Sequence, residues 1–373
     1  MPDATIIMAG GTGTRLWPAS TESTPKQFLR IGGSLSLIQQ ALIRAAAAAP
    51  DGPVVIVTHA DHVDAITRHV AELPAKARQD AGTDAQTIPG RVVYLGEPVG
   101  RNTAPAIALG MHYVRATLGD EATALVLTAD HVIRPIDRFV HDVETAAALA
   151  RDRRLVCFGV TPDRPETGYG YVKAGRALGD GREVERFAEK PDLPTAEKYL
   201  ADGDYLWNAG MFCFTGRTFW TELAAHEPAI AAAFAGERFP GLTSMDDGSR
   251  SVDTEALRSL YDLLPRISVD YALMERSSRV AVVPATFEWS DVGSWDEVAR
   301  LAPAGGAPHS APVIEIESGR NYVDSDLPVA ICDLSDLHVI VRNGRVLVCR
   351  RGSSQMVKTV IENARSAGNV DLL

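Results

Sequence analysis

One stretch constrains this chain more than any other. An apolar run, Thr5 to Ala9, feeds straight into Gly10-Gly11-Thr12-Gly13-Thr14-Arg15-Leu16-Trp17-Pro18, and Pro25-Lys26-Gln27-Phe28 follows. The apolar run reads as a buried strand. Glycines after a strand let backbone approach an anion closely and aim successive N–H groups at its oxygens. Arg15 and Lys26 then add two cations: arginine forks onto phosphate oxygens, and lysine supplies a compact point charge. The pattern is neither common phosphate fingerprint. A P-loop closes on Gly-Lys-Ser/Thr, whereas this loop reads Gly13-Thr14-Arg15; a dinucleotide fold wants a third glycine where Leu16 stands.

The runs that follow alternate. Val54–Thr58, Val92–Leu95 and Ala124–Thr128 read as strands, and Leu37–Ala49, His62–Leu73 and Ala104–Leu118 as helices. Such alternation predicts an α/β fold, Rossmann-like, with a mostly parallel sheet and helices on both faces. Leu155–Val160, Val184–Ala188 and Val280–Pro284 extend the strands, Asp253–Leu264 reads as a helix, and Gly236 to Ser251 as a surface loop. A Pro/Gly/Ala-rich stretch then suggests three parts: a catalytic domain over 1–302, a linker over 303–312, and a small β-rich domain over 313–373 that ends in a helix. Asn343-Gly344, between two short apolar runs, is a hairpin signal.

A net charge of -11 excludes a general nucleic-acid binder, which needs a basic face. A few placed cations still suffice for a small anionic substrate. No apolar run approaches the ~20 residues that span a bilayer, and Met1-Pro2-Asp3 has no basic leader. A cytoplasmic location with no membrane partner is therefore expected. Cys157, Cys213, Cys332 and Cys349 lie far apart and read as buried reduced thiols.

In parallel sheets ligands sit at the carboxyl ends of strands, so the residues that follow each run carry the most information. His59-Ala60-Asp61-His62 reads as a turn and helix start, with no third ligand nearby for a metal. Glu97-Pro98-Val99-Gly100-Arg101-Asn102-Thr103-Ala104-Pro105-Ala106 opens a helix that Thr103 can cap, and Arg101 and Asn102 are polar beyond what a helix start needs. Asp130, in Ala129-Asp130-His131, stands where one carboxylate can hold Mg²⁺ with phosphate oxygens and water, although strand-terminal aspartates also cap turns. Glu189-Lys190-Pro191, Trp207-Asn208-Ala209-Gly210, Val269-Asp270-Tyr271 and Trp289-Ser290-Asp291-Val292-Gly293-Ser294-Trp295 complete the set. Asp291 is the second carboxylate candidate.

Taken together, from Ile6 to about Val360, these motifs resemble the sugar-phosphate nucleotidylyltransferases, in detail the mannose-1-phosphate guanylyltransferase branch. The resemblance implies a nucleotidyltransferase fold and the reaction GTP + α-D-mannose 1-phosphate → GDP-mannose + pyrophosphate. It implies a GTP site at Gly10, Gly11, Thr12, Gly13, Thr14, Arg15, Lys26, Arg101, Asn102 and Thr103. Within that site Gly10, Gly11, Arg101 and Asn102 form the base and ribose pocket. A mannose 1-phosphate site follows at Gly168, Gly170, Glu189, Lys190 and Asn208, with lysine on the phosphate and glutamate on hydroxyls. The implied catalytic set is Arg15, Lys26, Asp130 and Asp291, the two aspartates holding Mg²⁺. Family members usually carry serine where Ala209 stands, and Asp-Ala where Asn343-Gly344 forms the hairpin. The role of Asp270, cap or substrate contact, stays open. The tail implies packing against a second subunit, hence a homodimer. The isomerase domain of longer relatives does not follow residue 373, so no isomerase activity is expected. The rival readings are a glucose 1-phosphate enzyme using UTP or dTTP, and a non-catalytic scaffold of the same fold.

Overall fold

The computed structural model describes residues 1–373 apart from 12, 22–23, 75–87, 237, 303–310, 370–371 and 373. Thr12 and most of the expected linker therefore lie outside the described residues. In chain order the strands are β1 (Ala4–Met8), β2 (Val54–His59), β3 (Val92–Glu97), β4 (Thr123–Thr128), β5 (Val132–Arg134), β6 (Leu155–Val160), β7 (Gly170–Leu178), β8 (Gly181–Glu189), β9 (Tyr205–Thr215), β10 (Leu242–Ser244), β11 (Arg250–Val252), β12 (Val280–Pro284), β13 (Glu288–Ser290), β14 (Val313–Ile316), β15 (Tyr322–Ser325), β16 (Val329–Cys332), β17 (Leu337–Arg342) and β18 (Arg345–Arg350).

The chain divides into two compact units. The first, Met1–Gly10, Ala41–Ala129 and Ile133–Trp289, holds an 11-stranded sheet in the order β10-β11-β3-β2-β1-β4-β9-β6-β12-β8-β7. The run β11-β3-β2-β1-β4 is parallel throughout. This is the half whose alternation of apolar strands and helices is readable in the sequence. Ile6, Ile7, Val55, Val57, Leu95 and Val126 are all but fully buried, as strands covered on both faces require. The other half is mixed. β9 lies antiparallel between β4 and β6, and β7 and β8 form a long antiparallel pair. The stretch expected as a surface loop, Gly236 to Ser251, instead supplies β10 and part of β11, which extend the sheet edge beside β3. Its polar, small residues hid two three-residue strands whose stability comes from pairing rather than from an apolar face. The helix expected over Asp253–Leu264 is shorter, a 3₁₀ turn at Glu255–Leu257 and an α-helix at Arg258–Asp262.

The second unit, Gly11–Gln40, Asp130–Val132 and Ser290–Leu373, joins three separated stretches and so differs from a division in chain order. Its core is Leu16, Trp17, Ile31, Leu37, Val292, Trp295, Tyr322, Ile340, Leu347, Val357 and Ile361. Trp295 Nε1 donates to the Trp17 carbonyl at 2.9 Å. The tail is built in part as a short parallel coil. Val313 pairs with Val329, Tyr322 with His338 and Gly319 with Ser335, each 16 residues apart. β17 and β18 form the expected hairpin, with Asn343 and Gly344 both at positive φ, as a two-residue primed turn requires. The final helix runs Val357–Ser366. Cys157 and Cys213 are buried, whereas Cys332 is exposed on β16, contrary to the expectation for that thiol.

Candidate functional site

The loop after β1 sets the site in the second unit. Gly13 adopts φ +61, and a Cβ there would lie 2.2 Å from Lys26 Cβ. Its carbonyl accepts the Ser20 hydroxyl at 2.6 Å, and Thr14–Leu16 continue as a 3₁₀ turn. The second 3₁₀ turn, Lys26–Phe28, buries Lys26. Its Nζ donates to Asp130 Oδ2 at 2.8 Å and to the main-chain oxygen of Asp291. Gly13, Thr14, Arg15, Leu16, Lys26, Asp130, Asp291, Val292 and Gly293 line one cavity of about 300 Å³.

Four expected catalytic residues thus come together there, with two acids and two bases balanced in charge. Arg15 is exposed. Burial works to raise the Asp130 carboxyl, but the Lys26 ammonium and the His131 imidazole outweigh it and hold the group below its usual range. Asp130 is therefore a carboxylate near neutral pH. The Asp291 carboxylate accepts the Gly293 N–H at 3.2 Å, and Val292, at φ 51, completes the sharp turn. This pinned turn fixes the direction of the Asp291 side chain. Gly11 is exposed, and a Cβ on it would meet no atom within 4 Å.

The remaining expected residues belong to the first unit. Arg101 Nε donates to the Tyr261 carbonyl at 3.1 Å. The cap of the helix Thr103–Leu118 is Asn102, whose Oδ1 accepts the Thr103 N–H at 2.8 Å. Thr103, expected as that cap, instead accepts the Val269 N–H on its hydroxyl at 2.9 Å. Asn102 stands outside the helix at φ 71 and ψ -174, a backbone region that residues other than glycine rarely adopt, and from there its side chain reaches the first helical N–H. Glu97, which no motif singled out as a site residue, is buried at the end of β3. Burial pushes its carboxyl up to about 7, against the Tyr261 hydroxyl that donates to Oε1 at 3.0 Å. Gly10 leaves the space beside Glu97 Oε2 open; its Cβ would stand 4.0 Å away. The signal for Glu97 in the sequence is a carboxylate closing an otherwise apolar strand.

Gly170, Glu189, Lys190 and Asn208 also gather. A Cβ on Gly170 would lie 2.6 Å from Glu189 Oε2 and 3.3 Å from Asn208 Cβ. Lys190 Nζ donates to Glu189 Oε1 at 2.5 Å, and the Glu189 N–H donates to Glu275 Oε1 at 2.8 Å. Asn208 Nδ2 donates to Asp270 Oδ1 at 3.0 Å. Gly168 sits in the preceding turn, its N–H on Glu166 Oε1 at 3.1 Å. Asp270 and Glu275 complete a cluster that the motifs only half described.

Comparisons with known proteins give the family. The nucleotidyl transferase family profile matches residues 4–304. The chain is 40% identical over 367 residues to a xanthan biosynthesis protein, XanB, of Xanthomonas campestris, covering 97% of this chain and 73% of that protein. It is 37% identical over 365 residues to a mannose-1-phosphate guanylyltransferase of Klebsiella pneumoniae, covering 96% and 73%. A solved structure described as a mannose-1-phosphate geranyltransferase from Thermus thermophilus superposes with a TM-score of 0.77 at 30% identity, over 98% of this chain and 100% of that one. These matches place the chain in the nucleotidyl transferase family, in the mannose-1-phosphate guanylyltransferase branch, as an enzyme of sugar-phosphate nucleotidyl transfer.

Proposed function

We propose that the enzyme transfers the guanylyl group of GTP to α-D-mannose 1-phosphate and releases pyrophosphate. The observation that carries the reading is Lys26, buried and held between the Asp130 carboxylate and the Asp291 carbonyl in a cavity that Arg15 also lines. A sugar phosphate oxygen forms the new bond to the α-phosphorus as the bond to the β-phosphate breaks. The attacking group is already an anion, so no protein base is needed. Positioning and positive charge are what the protein supplies.

Arg15 neutralises the charge that grows on leaving pyrophosphate, and Lys26 sits on the phosphates. Lys190 binds the sugar phosphate, leaving Glu189 to accept hydroxyls. Gly10, Gly11, Arg101 and Asn102 receive base and ribose. Asp130 and Asp291 suit Mg²⁺: both are hard oxygen donors facing one cavity. Among the described residues no cluster of three or more His, Cys, Asp or Glu stands ready to hold a metal alone. Two carboxylates that need phosphate oxygens to complete the shell are what Mg²⁺ prefers. When bound, the ion would supply charge to the phosphate oxygens.

A homodimer joined through the tail belongs to the same reading, supported by the exposed Ile314, Ile316, Val346 and Val348. So does a cytoplasmic site of action; no helix among the described residues is long and apolar enough to cross a membrane. The test is pyrophosphate release from GTP, ATP, UTP and dTTP, each with mannose 1-phosphate and glucose 1-phosphate, with and without a chelator. Release chiefly from GTP with mannose 1-phosphate, lost on chelation and in Asp291→Ala, supports the reading. Preference for another pair overturns the base and sugar assignments. No release from any pair revives the scaffold.

A further inference from the structure

Asp270 has no partner that explains its chemistry in full. It opens a single π-helical turn, Asp270–Met274. Such turns are rare and concentrate at functional sites. Its Oδ1 accepts the Asn208 amide at 3.0 Å. That amide cannot turn round, because its own oxygen accepts the Gly210 N–H at 3.1 Å. Asn208 is buried, while Asp270 keeps part of its surface open. Among the described residues Asn208 is the one side chain that hydrogen-bonds Asp270.

The electrostatics are costly for a merely structural carboxyl. Burial, then the Glu189 charge, pushes Asp270 up to about 7, against the pull of Lys190 and Asn208. Lys190 is committed to Glu189 at 2.5 Å. The ammonium is thus bonded to Glu189 and acts on Asp270 only through its charge. A leucine or an asparagine at 270 would remove that repulsion, and a half-buried carboxylate kept against such a cost, with an oxygen that no described side chain occupies, calls for a partner.

We propose that Asp270 is a specificity-determining residue that binds a ring hydroxyl of the hexose, its second oxygen working beside Glu189. This rests on the sugar phosphate subsite assigned above to Glu189, Lys190 and Asn208. When the phosphate of the substrate takes Lys190, Glu189 and Asp270 are left as acceptors, and hexose hydroxyls are the neutral donors that suit them. Gly170 lets the backbone lie against Glu189 and Asn208: a Cβ on it would stand 2.6 Å from Glu189 Oε2 and 3.3 Å from Asn208 Cβ, so glycine is what seats the two side chains side by side.

The experiment is a substrate–enzyme double cycle. Wild type, Asp270→Asn and Asp270→Ala are assayed with mannose 1-phosphate and with its 2-, 3-, 4- and 6-deoxy analogues. Loss of a hydroxyl–carboxylate hydrogen bond is expected to lower kcat/KM about 10–100-fold in Asp270→Ala. One deoxy analogue should cost wild type a similar factor and cost the variant under about 3-fold. The KM for GTP should stay within about twofold. A structural role would lower activity equally with every analogue, and such additivity overturns the proposal. Glu189→Gln and Lys190→Ala run in parallel. If neither raises the KM for mannose 1-phosphate, the subsite itself is wrong; if they do and Asp270 remains additive, only the Asp270 assignment falls. Should Asp270→Ala fail to fold, the nearly isosteric Asp270→Asn carries the cycle.

Discussion

Gly13→Ala tests whether the loop after β1 is shaped by the need to seat Lys26. Two costs add. At φ +61 an L side chain pays roughly 1–2 kcal/mol. The new Cβ would stand 2.2 Å from Lys26 Cβ, with Lys26 Cδ and Cγ at 3.0 and 3.1 Å, so the lysine stem must move. Overpacking of this kind costs about 1–3 kcal/mol. The sum is about 2–5 kcal/mol if the loop holds its place. If it yields instead, the Lys26 ammonium leaves Asp130, and loss of one such charge lowers turnover by about 10²–10³. Gly33→Ala is the control: no atom lies within 4 Å of its Cβ, and its effect should stay within about 1 kcal/mol. Urea unfolding gives the stabilities, and pyrophosphate release gives the turnover. A Gly13→Ala enzyme as stable as Gly33→Ala and within twofold of wild-type turnover would refute the reasoning.

Three further outcomes follow from the same structure. The folded Asp130 carboxyl is held below its unfolded value, so its contribution is complete above about pH 4 and is lost as pH falls through the lower folded value; an acid titration of stability from pH 5 to 2 should fall more steeply in wild type than in Asp130→Asn. Glu97 is shifted the other way, from 4.5 to about 7, so wild type should lose stability relative to Glu97→Gln as pH rises between these values. The total is about 3 kcal/mol, and equal slopes in denaturant titrations would contradict it. Asp296 accepts His338 Nε2 at 2.8 Å and the Gly352 N–H at 2.6 Å, and also binds the Ser354 hydroxyl; Asp296→Ala leaves fully buried His338 unpaired and should cost about 1–3 kcal/mol in urea unfolding.

The sequence was legible where a residue's role is set by near neighbours. Strand-like apolar runs and the Asn343-Gly344 turn follow from local chemistry, and they stand in the structure as read. Lys26, Asp130 and Asp291 were readable as charges, but their meeting through one ammonium joins residues 104 and 265 positions apart. Thr103 yields the cap to Asn102 because a positive φ at Asn102 and a donor at Val269, neither visible in the chain order, decide which one caps. Glu97 escaped because its importance lies in burial, which a lone carboxylate in a motif does not announce, and the motif around Asp270 left its role open because its partner, Asn208, lies 62 residues away. The parallel coil of the tail was hidden too: its strands are four to six residues long, and β14 leaves all four of its residues exposed, so no periodic apolar face marks the 16-residue step.

The second unit has a consequence for synthesis. The loop bearing Arg15 and Lys26 leaves the ribosome early, yet the side chains that wall its core, Ile340, Leu347, Val357 and Ile361, come much later. Asn343 Nδ2 reaches back to the Pro18 carbonyl across 325 residues. At about 5–20 residues per second that interval is roughly 15–65 s. During it Leu16, Trp17 and Ile31 have no native partners from the tail, and their apolar surface stays exposed to water. The core of the second unit is then completed later than the parallel pairings among β1 to β4, which all lie within the first 128 residues.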